Sequence, residues 1–317
     1  MRYFRLLFVL IIMAGLTACE KEILYDDIAP EPLLVVNGIQ HVGEPARLCV
    51  ERSSFYIDSE TDFRVKDVHV DLYVNGVFKE ALQVRDSMLM ETYWIWNDTL
   101  GEQEAERPRY AFNYCEGEYI LCEGDALRFE VSSSEFDDVA VAETTIPYAP
   151  NVVSFDTTRV VDSDIVYFAL TLDDPIGEDY YNLNLKDGFD VGFESSDPVF
   201  ADFMNIVHID DMFGGSEYQG KRWGYNMFND SYFDGKRYSV SLHTHAYYDH
   251  SYVMEVTKVD NSLYQFAKSY SNYDYAEDLL SLFTEPVQVY SNVQNGVGVV
   301  CSQSRPVTVI VELREEE

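Results

Sequence analysis

The stretch VHVDLYVNGV, Val68 to Val77, alternates apolar with polar residues and closes on Asn75-Gly76. A period of two puts every second side chain on one face of a strand. Asn-Gly is the pair that a two-residue hairpin turn demands, because both central residues need positive φ. A chain written this way folds into half-buried antiparallel sheet. The pattern recurs in ALRFEVSS, with Ala126, Arg128 and Glu130 on one face and Leu127, Phe129 and Val131 on the other. LLVVNGIQ, with Asn37-Gly38 as a turn signal, precedes these strands, and VAVAETTIP follows and stops at Pro147. Short strands at this spacing predict an immunoglobulin-like or transthyretin-like β-sandwich over residues 33–147.

Residues 148–317 continue in the same mode. VVSFDTTRV, IVYFALTLDDP, YYNLNLKD, YSVSLHTH, SYVMEVTKV and PVTVIVEL all read as strands. One helical stretch interrupts them near 260–283. Asp260 or Ser262 can cap it, Leu263, Phe266, Ala267 and Tyr270 fall on one face, and AEDLLSLF prolongs or restarts it. The expectation is a mainly β protein: a sandwich followed by a second β-rich domain with one or two short helices. No period of 20–50 residues recurs, which excludes solenoids and propellers.

The N-terminus fixes the compartment. Arg2 and Arg5 precede an apolar run from Leu6 to Leu16, too short for a bilayer span, which needs about 20 residues. Leu16-Thr17-Ala18-Cys19 then has the form of a lipobox. Residues 1–18 are expected to be removed as a lipoprotein signal peptide, leaving Cys19 as the acylated, palmitate-type anchor. Residues 19–32, EKEILYDDIAPEP with the anchor, read as an acidic tether. The whole chain carries −34, and losing Arg2 and Arg5 makes the mature body −36. Such a balance argues against nucleic acid, which is held through cationic contacts to phosphate, and against lying flat on anionic lipid.

Four cysteines remain: Cys49, Cys115, Cys122 and Cys301. Cys115 and Cys122 flank Glu116-Gly117-Glu118-Tyr119, read as a turn, and are the candidate disulfide pair; buried free thiols are the alternative. Without a Cys-x-x-Cys there is no zinc-ribbon or thioredoxin pattern.

Candidate chemistry is sparse. SLHTHAYYDHSY holds His243, His245 and His250 beside Asp249. On a strand, His243 and His245 share a face, and a turn could return His250 to make a metal site, so these four are weak ligand candidates beside an ordinary polar strand. TYWIWND puts Trp94 and Trp96 on one side of a strand. Exposed, they form a stacking platform for a sugar or aromatic ligand; buried, they fill a core. Acidic pairs at Asp162–Asp164, at Asp173-Asp174 and in His208–Gly215 lack the spaced calcium-loop pattern. There is no Gly-x-Ser-x-Gly elbow, and Gly296 and Gly298 lack a phosphate-cradle pattern and read as turn residues. No enzymatic motif and no cofactor are expected.

Four pieces carry a family resemblance: the lipobox with its acidic continuation, LVVNG at Leu34–Gly38, AETTIP at Ala142–Pro147, and FTEPVQVYSNVQNGVGVV at Phe283–Val300. On these the chain resembles the Bacteroidota lipoproteins grouped as domain of unknown function 4249, across residues 20–317. Glu20-Lys21-Glu22 also resembles the short signal that sends such lipoproteins to the outer face of the outer membrane. The resemblance implies a β-rich lipoprotein encoded beside a TonB-dependent outer-membrane receptor, with no catalytic residues to carry over. The expected function is a non-enzymatic, lipid-anchored outer-membrane protein, at the cell surface or else on the periplasmic leaflet. It would be an accessory or ligand-capture partner of a TonB-dependent β-barrel transporter. A metal-binding hydrolase built on the histidines, and a structural or adhesive surface lipoprotein, are the alternatives.

Overall fold

The computed structural model describes residues 31–54, 61–97, 101–159, 165–186, 204–206, 225–245, 251–276 and 288–312. At 91–97, 101–107 and the ends of several other elements it describes the backbone alone. Cys19 and the tether to Pro30 lie outside these residues, as do Asp162–Asp164, His208–Gly215, Asp249, His250 and Phe283–Val287.

Among the described residues the chain is mainly β, with one helix. β1 (Leu34–His41) and β2 (Pro45–Arg52) begin a large sheet. β3 (His69–Val74) and β4 (Val77–Ala81) form the hairpin that Asn75-Gly76 foretells, with φ of 53° and 77° at its two turn residues. β5 (Gln83–Asn97) and β6 (Gly101–Ile120) make a much longer hairpin. β7 (Ala126–Ser132) and β8 (Ala140–Thr145) complete a four-stranded sheet in the order β4-β3-β7-β8. That sheet packs on β1, β2 and β6. Leu34, Val36, Leu48, Val50 and Cys115 meet Val70, Leu72, Phe129, Val131 and Ala142 in one apolar core. Each such side chain removed from water contributes about 1.5–3 kcal/mol, which is why alternation alone fixes the register.

A second sandwich follows. β9 (Val152–Arg159), β10 (Ile165–Asp173) and β14 (Arg237–His245) form a three-stranded sheet in the order β14-β10-β9. It covers β11 (Tyr180–Lys186), β13 (Tyr225–Asn229) and β15 (Ser251–Val259), with β12 (Met204–Ile206) outside β13. Its core is Val166, Phe168, Leu170, Leu172, Tyr181, Leu183, Phe228, Val240, Met254 and Val256. The helix, α1 (Asn261–Ala276), is capped as expected: Asp260 Oδ1 accepts the Leu263 amide at 3.0 Å. Leu263, Phe266 and Ala267 are buried with Val259, Val299 and Cys301.

One large sheet runs through both halves, in the order β12-β13-β11-β15-β16-β1-β2-β6-β5. Its middle is β16 (Val300–Gln303), which lies parallel to β1 and meets β15, while β17 (Val307–Glu312) pairs with β15 beside it. The last third of the chain therefore returns to the first sandwich, where Val293 and Val300 join the core.

That return is clasped by side chains of the signature segments. Asn37 Oδ1 accepts the Val299 amide at 3.0 Å, and Val36 and Gly38 donate their amides to the Val297 and Val299 carbonyls at 2.9 Å each. Asn37-Gly38 is thus no turn: β1 passes straight through it. A Cβ at Gly38 would stand 2.6 Å from the Arg47 carbonyl oxygen, so glycine serves close packing there. Gly298 has φ of 117°, and a Cβ on it would lie 2.3 Å from the Val36 carbonyl oxygen. Asn292 bridges residues from three elements. Its Nδ2 donates to the carbonyls of Val300 at 2.7 Å and Glu143 at 3.1 Å and to Ser262 Oγ at 3.2 Å, and its Oδ1 accepts the Val300 amide at 2.9 Å. Asp260 adds a further tie, accepting the Thr144 hydroxyl at 2.8 Å and the Ser302 amide at 3.2 Å.

Candidate functional site

At one end of the second sandwich, two loops bring three carboxylates together. Asp174 and Asp179 flank the turn between β10 and β11, Asp230 follows β13, and each offers an oxygen within 4.8 Å of the others. Asp174 and Asp230 are buried. Like charges this close, away from water, repel strongly unless neutralised. Lys258, on β15 and buried, supplies one positive charge: its Nζ stands 2.5 Å from Asp179 Oδ2 and over the Tyr181 ring at 5.3 Å. Three more of the oxygens have donors too. Tyr181 donates its hydroxyl to Asp174 Oδ1, the Gly235 amide donates to Asp174 Oδ2 at 2.9 Å, and the Asp179 amide donates to Asp230 Oδ2 at 2.9 Å.

The electrostatics follow from that arithmetic. Desolvation, with the nearby Asp174, Asp179 and Asp234 charges, pushes the Asp230 carboxyl up to about 6, against the opposing pull of the Asp179 amide. Burial, then the bond to Asp174, raises the Tyr181 phenol far above its ordinary range. The set can retain a proton near neutral pH and offers oxygens to a cation. With Lys258 in place and the carboxylates already receiving donors, its evident work is to tie the β10–β11 loop to β15 and to the loop after β13.

Residues expected to carry chemistry are dispersed. His243 lies on β14 opposite Tyr167 of β10, with ring centroids 5.4 Å apart, and His245 is placed two residues on, opposite Ile165. Among the described residues no histidine joins a metal-ligating group. Trp94 and Trp96 share one face of β5 in its outer half, where only β6 among the described strands pairs with it. The candidate Cys115–Cys122 disulfide is not formed, and both are free thiols. The presumed turn between them is the end of strand β6, so about six residues at 3.3 Å each separate Cys115 from the loop bearing Cys122. Cys115 is buried in the first core, where desolvation pushes its thiol up to about 12, and Cys122 is exposed.

Of the acidic pairs, only Asp173-Asp174 falls within the described residues, and only Asp174 enters the cluster. Asp179 stands five residues along the same turn, but Asp230 and Lys258 come from distant positions, and no local spacing could have joined them.

None of the curated proteins matches the sequence. Among solved structures, similarity is reported to the C-terminal domain of the Streptococcus pyogenes antigen I/II-family protein AspA, at 8% identity over 73% of this chain and 94% of that one, TM-score 0.21. A collagen adhesin (CNA) from S. aureus is similar at 8% identity over 90% of this chain and 96% of that one, TM-score 0.20. Superpositions at such values carry no argument about this chain. One family model, described as Domain of unknown function (DUF4249), matches residues 20–306, and the protein belongs to that family.

Proposed function

We propose that this protein is a non-enzymatic lipoprotein of the outer membrane, displayed at the cell surface, which serves as an accessory or ligand-capture partner of a TonB-dependent β-barrel transporter. The observation that carries the reading is the lipobox Leu16-Thr17-Ala18-Cys19, set between an apolar run and an acidic tether. A thioether-linked lipid with an acylated amine on Cys19 gives durable anchoring, because one acyl chain alone is marginal and each buried methylene adds about 0.8 kcal/mol. Between the anchor and β1 lie residues 20–33, enough chain to reach at most about 46–50 Å when extended. The acidic surface supports a body held in water above the lipid. No helix among the described residues is long and apolar enough to cross a membrane.

Affinity purification of the tagged protein from detergent-solubilised outer membrane tests the reading. It should recover an integral β-barrel receptor, and Cys19→Ser should leave the membrane fraction. A protein recovered alone under mild detergent, or a Cys19→Ser variant that still sediments with membranes, overturns it.

A further inference from the structure

The long β5–β6 hairpin presents two unlike faces. Up to Leu89, β5 lies beside the part of β6 that is held by the body: Cys115, opposite Val84, is in the first core, and Leu89 packs with Cys49, Phe112 and Tyr114 on the other side. A register shift at Leu89/Met90 follows, and from Met90↔Pro108 to Asn97↔Gly101 the two strands pair only with each other among the described strands. At about 3.3 Å per residue this arm is some 26 Å long.

Register assigns its residues to faces. On one face Glu91 stands opposite Arg107, Tyr93 opposite Ala105 and Ile95 opposite Gln103, so its charges balance. On the other, Thr92, Trp94 and Trp96 stand opposite Glu106, Glu104 and Glu102. Three acidic residues and two tryptophans share that face, with no cationic residue opposite them. At the root of the same face Met88 and Met90 are 47% and 38% exposed, and Pro108 is exposed too.

We infer that this face of the β5–β6 arm is the docking surface for an extended, arginine- or lysine-rich segment of a partner protein. Alternate residues of a strand are about 6.7 Å apart, so Glu102, Glu104 and Glu106 match cationic residues at every second position of an extended segment. Trp94 and Trp96 add stacking surface for guanidinium groups. A nucleic acid, an anionic lipid or a second copy of this chain, itself at −34, would meet repulsion from the same row. The inference deepens the docking reading above and rests on it for placing a partner at the same membrane.

The test is fluorescence anisotropy of a labelled nine-residue peptide with arginine at every odd position and threonine between, titrated with the full chain. Two variants separate this face from general acidity. Trp94→Ala with Trp96→Ala leaves the net charge untouched, and Glu102→Gln with Glu104→Gln and Glu106→Gln moves it only from −34 to −31. Each should weaken binding at least tenfold, with unchanged circular dichroism and melting. A change under twofold in both variants, or no binding by the wild type in low salt, overturns the inference. Recovery of the barrel without the peptide effect would sink the arm and spare the docking reading; a peptide effect with no barrel recovered would do the reverse.

Discussion

The clasp around Asn292 and the arm bearing Trp94 both draw on residues that stand out in the sequence, yet they are built in opposite ways. In the clasp, the described side-chain groups of Asn37 and Asn292 are spent inside the molecule, on backbone groups of β8 and β16, on the Val299 amide just before β16 and on a serine of α1. In the arm, two strands pair with each other alone among the described strands, and the register places aromatic and acidic residues on one face with no cationic residue opposite them. The contrast teaches that NVQNGVGV, part of the Phe283–Val300 stretch on which the family resemblance rests, is accounted for by folding. A functional search that started from it would have been drawn to a structural joint.

The sharpest way to break this contrast is at the joint. Gly298→Ala places a methyl 2.3 Å from the Val36 carbonyl at a backbone angle that side chains rarely adopt, and should cost about 4 kcal/mol in urea unfolding. Asn292→Ala leaves the amide and carbonyl of Val300 without their side-chain partner and should cost about 3 kcal/mol. If either variant unfolds like the wild type, the clasp is not what holds the C-terminal strand.

A smaller effect, of opposite sign, is expected at the carboxylate cluster. Asp230 has its folded value raised to about 6 from an ordinary 3.8, so the native state binds the proton more tightly than the unfolded chain. Its contribution is therefore full below about pH 4 and is lost as the pH rises through 6. Asp230→Asn keeps an oxygen for the Asp179 amide and removes a charge facing Asp174 and Asp179. It should stabilise the protein by about 1–2 kcal/mol at pH 7.5, after discounting for solvent screening, and flatten the loss between pH 4 and 6. Thermal melts across that range check it; an unchanged slope would show that the group is not held as described. The smallest effect on folding belongs to the arm, where Trp94→Ala with Trp96→Ala should shift stability by no more than about 0.5 kcal/mol.

Legibility in the sequence followed the range of the interaction. Asn75-Gly76 and the Leu263–Tyr270 face were readable because a turn and a helix are decided by neighbours. Asn37-Gly38 is the same dipeptide, yet it lies inside β1, since its partners are residues 297–299 from the far end of the chain. Cys115 and Cys122 look close in sequence because Glu116–Tyr119 reads as a turn, whereas it is the end of strand β6. The Asp174, Asp179, Asp230 and Lys258 set was invisible for the same reason as the clasp: β11, β13 and β15 must pair before those charges meet. The arm was half legible. Alternation put Trp94 and Trp96 on one face, but only the pairing register set three glutamates beside them.

Site-specific photo-crosslinking in intact cells would test most directly whether the arm is where a membrane partner is met. A photoreactive residue replacing Trp94 should trap an integral outer-membrane β-barrel, while the same residue replacing Phe78, exposed on β4, should trap none. Crosslinks of equal yield from both positions, or none from position 94 in cells where the barrel co-purifies, would contradict the account.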